Sequence, residues 1–239
     1  MSWSNPGAII EHTIRATQLR EHLLSVSPSG TLLDLGCGPR PYFDLYAPYF
    51  QKTIGADLAD SPFPKKGVDI YCKATAVPLD DSSIDFILCT EVLHDIPEPD
   101  EFFLEVYRLL KPGGTLFLTS PFVVPLVDGA FDHYRYTRHG LEYRIKKANL
   151  TPTSIQPVGD IFSVCITLGI KPVLKVFSTL SKQLRFKGLY SAYNPLLFLL
   201  VIVPQLMYLA CRNLPVLKAL LKRFDYGPIG YVSIVTKST

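Results

Sequence analysis

Charge is scarce in this chain. Only 19% of its 239 residues are Asp, Glu, Lys or Arg, and the formal balance is +3, too small for a protein that lives by gripping a polyanion. No Lys/Arg-rich stripe interleaved with aromatics appears in the first two thirds, so nucleic acid is a poor fit as substrate. The five cysteines are scattered without a C-x-x-C pair, and no histidine stands at zinc spacing. Neither a disulfide framework nor a metal site is implied. Residues 1–10 lack the basic region and apolar run of a signal peptide, so a reducing cytoplasm is the expected home. Internal repeats and low-complexity segments are missing as well, and the length suits one domain with an insertion.

A third glycine is also absent from the most informative stretch, Leu32-Leu33-Asp34-Leu35-Gly36-Cys37-Gly38-Pro39. This is a buried strand running into a turn where two glycines strip away side chains, so a ligand is expected to approach the backbone closely. The dinucleotide fingerprint G-x-G-x-x-G would need glycine where Pro41 stands, so the diphosphate cradle is lacking and an NAD-dependent oxidoreductase is disfavoured. A carboxylate still follows at the expected place. Thr53-Ile54-Gly55-Ala56-Asp57 reads as a second strand ending in an acid about 20 residues past the glycines, where acids bind ribose hydroxyls. The implied ligand is a nucleoside without a diphosphate. A third signal, Leu109-Leu110-Lys111-Pro112-Gly113-Gly114 before Thr115-Leu116-Phe117-Leu118, reads as a helix stopped by Pro and Gly and turned at once into a strand.

As an ordered set these pieces resemble the class I S-adenosylmethionine-dependent methyltransferases, in particular the type 11 group. The resemblance implies S-adenosylmethionine as cofactor. It places Asp34 near the methionyl ammonium, the backbone of Gly36, Cys37 and Gly38 against the amino-acid moiety, Asp57 on both ribose hydroxyls and Leu58 against adenine. Lys73-Ala74-Thr75-Ala76-Val77-Pro78-Leu79 is similar to the family's Asp-Ala-x-x-Leu-Pro-Phe segment, with Lys73 where an acid usually receives the adenine amino group. A lysine cannot accept that bond, so Ala74 and Thr75 are left to recognise the base. Thr90-Glu91-Val92-Leu93-His94-Asp95 is similar to Glu-Val-Leu-Glu-His, with Thr90 and Glu91 expected to flank the cofactor.

Asp132-His133-Tyr134-Arg135-Tyr136-Thr137 looks like the Asp-x-Tyr-Arg-Tyr-Thr segment of type 11 enzymes, on the acceptor side of the fold. A hydroxyl acceptor must lose a proton as its new bond forms, and histidine is the side chain nearest the right pKa. His133 is therefore the first candidate base and His94 the second, with Asp95, Tyr134, Arg135 and Tyr136 as acceptor-binding candidates. The expected partner is a small-molecule acceptor that is lipid-linked, saccharide or quinone-like. A binding protein that keeps the cofactor fold without catalysis is the rival reading.

The expected architecture is α/β, a Rossmann-like, seven-stranded, mostly parallel sheet with helices on both faces. Strands are expected at 32–35, 53–57, 68–74, 84–90, 115–119, 153–158 and 231–235. Helices are expected at 7–24, 42–49, 100–110 and 137–149, the first covering the cofactor cleft or the sheet. The family resemblance implies that the last strand inserts antiparallel. Three parts follow: an N-terminal helix over 1–29, the cofactor domain over 30–159 plus 229–239, and an apolar helical insertion over 160–228. The insertion carries nine Lys and Arg opposed only by Asp160 and Asp225. Its uncharged run 195–211 is shorter than the ~20 residues of a spanning helix and is interrupted by Pro204. Two readings stand: contact with an anionic lipid surface at the inner face of the membrane, monotopic or re-entrant, or packing on the sheet or on a second subunit as a homodimer.

Overall fold

The computed structural model describes residues 8–26, 28–64, 66–126, 131–183, 196, 198–212, 214–215 and 227–238. The basic residues Arg185, Lys187, Lys218, Lys222 and Arg223 lie outside them. Seven strands form one sheet in the order β3-β2-β1-β4-β5-β7-β6. The strands are β1 (Thr31–Leu35), β2 (Lys52–Asp57), β3 (Ile70–Tyr71), β4 (Ile84–Thr90), β5 (Leu110–Pro121), β6 (Leu150–Val158) and β7 (Gly230–Lys237). β1 pairs parallel with β2 and β4, β2 with β3, and β4 with β5. β7 runs antiparallel to β5, from Thr115 opposite Thr236 to Pro121 opposite Gly230, as the family resemblance implies. The chain steps outward from β1 through β2 to β3, then returns to β1's other side at β4. That reversal opens a crevice at the carboxyl ends of β1 and β4, the place where ligands dock in open α/β sheets.

Alternation along the strands divides the core between two faces. Leu33, Leu35, Ile87, Cys89, Leu116 and Leu118 share one buried cluster with Phe102, Phe103 and Val106 of α3 (Pro99–Leu109) and with Leu141 and Ile145 of α4 (Arg138–Lys147). Phe86 and Phe117 point the other way, with their rings 5.9 Å and 6.1 Å from that of His22 on α1 (Ile9–Val26). Helix α1 therefore covers the sheet. Thr137 caps α4 by accepting from the Gly140 amide, the role its hydroxyl suits. After β1 comes a short α2 (Phe43–Tyr46), continued by a 3-10 turn over Ala47–Tyr49.

Two strands depart most from expectation, and β6 begins three residues earlier, at Leu150. β3 has two residues, Ile70–Tyr71, in place of 68–74. At its start Asp69 turns its carboxylate to the Gly55 amide and to Arg40, and past Cys72 the chain bends into a turn closed between Lys73 and Ala76. β5 begins at Leu110, before the Pro-Gly-Gly, because Leu110 pairs with Ile84 and Thr115 with Phe86. Residues 111–114 form a bulge between those pairs, with Gly113 at φ +79° in the region that glycine enters at least cost.

The chain divides into two compact units. One contains 15–122, 126–156 and 230–239, hence the central sheet; the other contains 1–14, 123–125 and 157–229. In the second unit α5 (Ile161–Gln183) carries Pro172 within it. A π-helical turn over Phe198–Ile202 leads into α6 (Val203–Cys211). Pro204 falls in the first turn of α6, where the run changes from π turn to α-helix and a missing N–H costs least. Ile170 packs with Val201 and Ile202 at the centre of this unit.

Candidate cofactor and acceptor site

The parallel register brings the turns after β1, β2, β3 and β4 to one edge of the sheet. Gly36 and Gly38 have φ +72° and +47°, so both need glycine's freedom, but they use the absent Cβ differently. A Cβ on Gly36 would lie 2.2 Å from Val92, so that space is filled by the chain's own loop after β4. A Cβ on Gly38 would meet only Phe63, at 3.7 Å. The expected open approach to bare backbone therefore belongs to Gly38, while Gly36 serves packing. The Gly36 and Cys37 amides donate to the Ala56 carbonyl at 2.8 Å and 3.1 Å, binding the turn to the end of β2.

Asp57 completes this connection. Its Oδ2 accepts from the Gly38 amide and its Oδ1 from its own neighbour's amide, Leu58, each at 2.7 Å. Each carboxylate oxygen keeps a further lone pair, and Asp57 is only half-buried, so the group can still receive hydroxyls. Leu58 is exposed beside it. Ala74 and Thr75 stand half-buried at the tip of the turn after β3, and Lys73 is exposed.

Asp34 lies elsewhere. It is 3% exposed and accepts from the Tyr46 hydroxyl at 2.7 Å. Burial pushes its carboxyl up to about 7, against the Tyr46 bond and the nearby Arg40 charge, which pull it down. Burial likewise raises the Cys37 thiol to about 12, so this cysteine offers its backbone, not a thiolate. Arg40, at φ +52°, lies over Gly55 and pairs with Asp69 at 2.6 Å; a Cβ on Gly55 would come within 2.1 Å of its guanidinium.

At the end of β4, Thr90 is half-buried and Glu91 takes φ +58°. Both Glu91 carboxylate oxygens are engaged: Thr119 donates to one at 2.8 Å, and Arg15, 4% exposed, pairs with the other at 2.9 Å. This half-buried pair ties down the loop that Gly36 must accommodate.

The second group of candidates comes together from two segments far apart in sequence. The His94 carbonyl accepts from the His133 amide at 2.9 Å and the Tyr134 amide at 3.1 Å. Beneath that clasp His94, 2% exposed, has its Nε2 3.3 Å from Asp95. Ligand atoms of His94, Asp95 and Asp132 lie within 4.8 Å of one another. Asp132 is also paired with Arg135 through both oxygens, so an internal cation already balances the acids. Tyr134 donates to the Pro97 carbonyl at 3.0 Å, with its ring 5.7 Å from that of buried Tyr136. The His133 side chain is exposed, its ring 6.1 Å from Tyr134.

Tyr46, Arg15 and Arg40 were missed by reading the sequence. Tyr46 could have been noticed as the hydroxyl on the short helix after the glycine turn, but nothing in the spacing of Arg15 links α1 to Glu91.

The open backbone at Gly38 and the half-buried acid at Asp57 suit a ligand with a vicinal diol and no diphosphate. A family profile described as "Methyltransferase domain" matches residues 33–118. The chain is 25% identical over 154 residues to the ubiquinone biosynthesis O-methyltransferase of Coxiella burnetii (strain Dugway 5J108-111), covering 59% of this chain and 63% of that relative. The chain thus spans under two thirds of that relative's length. Among solved structures, the [4+2]-cyclase SpnF superposes with a TM-score of 0.60 at 15% identity, covering 96% of this chain and 82% of that one. Geranyl diphosphate C-methyltransferase from Streptomyces coelicolor A3(2), solved with S-adenosyl-L-homocysteine, superposes with a TM-score of 0.56 at 17% identity, over 95% and 80%. At these identities the likeness is one of fold.

Proposed function

We propose that this chain, whose residues 33–118 match a methyltransferase-domain profile and whose fold superposes on a C-methyltransferase solved with S-adenosyl-L-homocysteine, is a class I enzyme that uses S-adenosylmethionine to move a methyl group to a hydroxyl, carboxyl or amine of a small lipid-linked, saccharide or quinone-like acceptor. The observation that carries this reading is the joining of Asp57 to the Gly38 amide at the crevice between strand ends. When bound, S-adenosylmethionine supplies an electrophilic methyl on a sulfonium, and its residual thioether departs. The chain's task is alignment, worth up to roughly 7–11 kcal/mol in a displacement of this kind.

In this reading Asp57 holds the ribose hydroxyls, the open backbone at Gly38 beside Cys37 borders the methionyl end, the Asp34 carboxylate, bonded to Tyr46, acts on that end as a charge, and Leu58, Ala74 and Thr75 border the base. Thr90 and the backbone of Glu91 flank the cofactor, while the Glu91 carboxylate holds its loop through Arg15. His133, exposed and clasped through its amide to His94, takes the proton that a hydroxyl acceptor releases as its oxygen bonds to the methyl. Asp95, Arg135, Tyr134 and Tyr136 shape the acceptor's surroundings, and His94 positions the clasp.

Calorimetry with S-adenosylmethionine, followed by S-adenosylhomocysteine release with catechol, quinol and sugar acceptors, tests the proposal. Binding and turnover are expected, with His133→Ala cutting turnover at unchanged cofactor affinity. Absence of binding overturns the proposal, and full turnover in His133→Ala removes the base assignment. A second reading, cofactor binding without catalysis, is favoured by one observation: Lys73 stands exposed where the family pattern has an acid. Binding without turnover on any acceptor would select it.

A further inference from the structure

The helical unit leaves many large apolar side chains outside while burying polar ones beside its apolar centre. On α5 the outward residues are Phe162, Leu168, Val176 and Leu180, between 38% and 54% exposed, while the inward ones include Ser163 and Thr167, at 0% and 1%. The segment 198–211 repeats the pattern: Leu199, Leu200, Leu206 and Met207 are exposed and Gln205 is fully buried. Gln205 and Ser163 are bonded inside the unit. Gln205 donates to the Val201 carbonyl at 2.8 Å and accepts from the Ile10 amide at 3.4 Å. Ser163 donates to the Asp160 carbonyl, and Tyr208 donates to the Asp160 carboxylate at 2.8 Å. A helix on a water-soluble protein turns its apolar stripe inward and its polar stripe out. Here Gln205 and Ser163 are bonded inside while a set of large apolar side chains is left facing outward.

We propose that this unit seats on an anionic lipid surface through the outward faces of α5 and α6, lying within one leaflet. Charge selects the occupant. The stretch 160–228 carries nine Lys and Arg against Asp160 and Asp225, and the Asp160 carboxylate is taken by Tyr208 and by the Phe162 and Ser163 amides at the start of α5. Apolar faces on a basic segment match acyl chains beneath anionic headgroups. A second copy would bring two basic segments together and is opposed by that charge. Length alone permits more: Ile161–Leu180 has mean hydropathy 1.6 over 20 residues. A single crossing conflicts with topology, since β7 rejoins the sheet beside β5 and the chain must return to the side it left. One face of each helix is occupied by its own unit, which leaves the other for a surface.

Flotation of the full chain on phosphatidylcholine vesicles, with and without phosphatidylglycerol, tests this. The chain is expected to float with the phosphatidylglycerol vesicles and to do so less without the anionic lipid. The double substitution Leu206→Glu and Met207→Glu should cut the floated fraction about tenfold or more, with S-adenosylmethionine affinity unchanged. Leu199→Glu, on the adjoining turn, is expected to act in the same direction and serves if the double variant fails to fold. Leu104→Glu, at an exposed apolar position on α3, should leave flotation intact. The proposal is overturned if the chain stays in the soluble fraction on anionic vesicles, or if the glutamates leave flotation unchanged. It is also overturned if they instead dissolve a homodimer that light scattering finds without lipid. Because cofactor affinity is read separately, failure here leaves the methyl-transfer reading standing.

Discussion

The sheet unit and the helical unit both have an apolar centre, but they differ in what they leave outside it. In the first, Phe86, Phe102, Phe103 and Phe117 are fully buried, and charges such as Arg108, which bonds Asp81, Glu105 and two carbonyls, fasten the surface. In the second, Gln205 and Ser163 are inside while Leu206 and Met207 are outside. Hydrophobic content is higher in the second, but the clearer difference is how much large apolar surface each leaves facing outward.

The two units should therefore answer like substitutions differently. The largest effect is expected at Gly36→Ala, where a Cβ would overlap Val92 at 2.2 Å and φ is +72°. A loss of about 3 kcal/mol in unfolding free energy, read from denaturant melts, would fit; a silent change would show that the loop gives way. Next, Asp57→Ala removes the carboxylate joined to Gly38. Cofactor affinity should fall about 100-fold by calorimetry, as for loss of two charge-assisted hydrogen bonds, with Asp57→Asn intermediate.

The Asp34 carboxyl, pushed up to about 7 by burial, supplies a pH test of smaller size. A cationic ammonium favours its ionised form, so cofactor affinity should rise about tenfold from pH 6 to pH 8, and Asp34→Asn should flatten the profile. Stability has the opposite sign. The folded chain holds this proton more tightly than the unfolded chain, whose carboxyl has its ordinary value of 3.8, so the contribution is full below that value and is lost as pH rises through 7. A melting profile of the wild type minus that of Asp34→Asn would reveal the slope.

Gly169→Ala, in α5, should do the reverse of Gly36→Ala. Nothing lies within 4 Å of its Cβ position, so removing a helical glycine should stabilise by up to about 1 kcal/mol. Smallest of all, Leu104→Glu on α3 should shift unfolding by no more than about 0.5 kcal/mol. A loss of several would place its face in a contact.

Where one backbone signal decides an element, the sequence was legible. The glycine turn, the acid closing β2, the Thr137 cap and the apolar runs of β1, β4 and β5 all show in local spacing. Boundaries where two signals overlap were not: Pro112-Gly113-Gly114 can stop a helix or bulge a strand, and only pairing of Leu110 with Ile84 makes it the bulge. At the candidate site, Asp57 and the glycines were visible, but the filling of Gly36's space by Val92, the cover of Tyr46 over Asp34 and the salt bridge from Arg15 to Glu91 were not. Each joins residues distant in sequence, which no period or motif records.

Sequence alone determined the fold class, the glycine turn, the acid that ends the second strand and the basic, apolar character of 160–228, because these are properties of local pattern and composition. Tertiary structure decided which glycine yields its space to the chain itself, which carboxylate is sealed and which stays open, that His94 and His133 meet, and that the helical unit hides its polar groups. Those outcomes depend on which side chains compete for the same volume and the same hydrogen bonds once the chain has closed on itself.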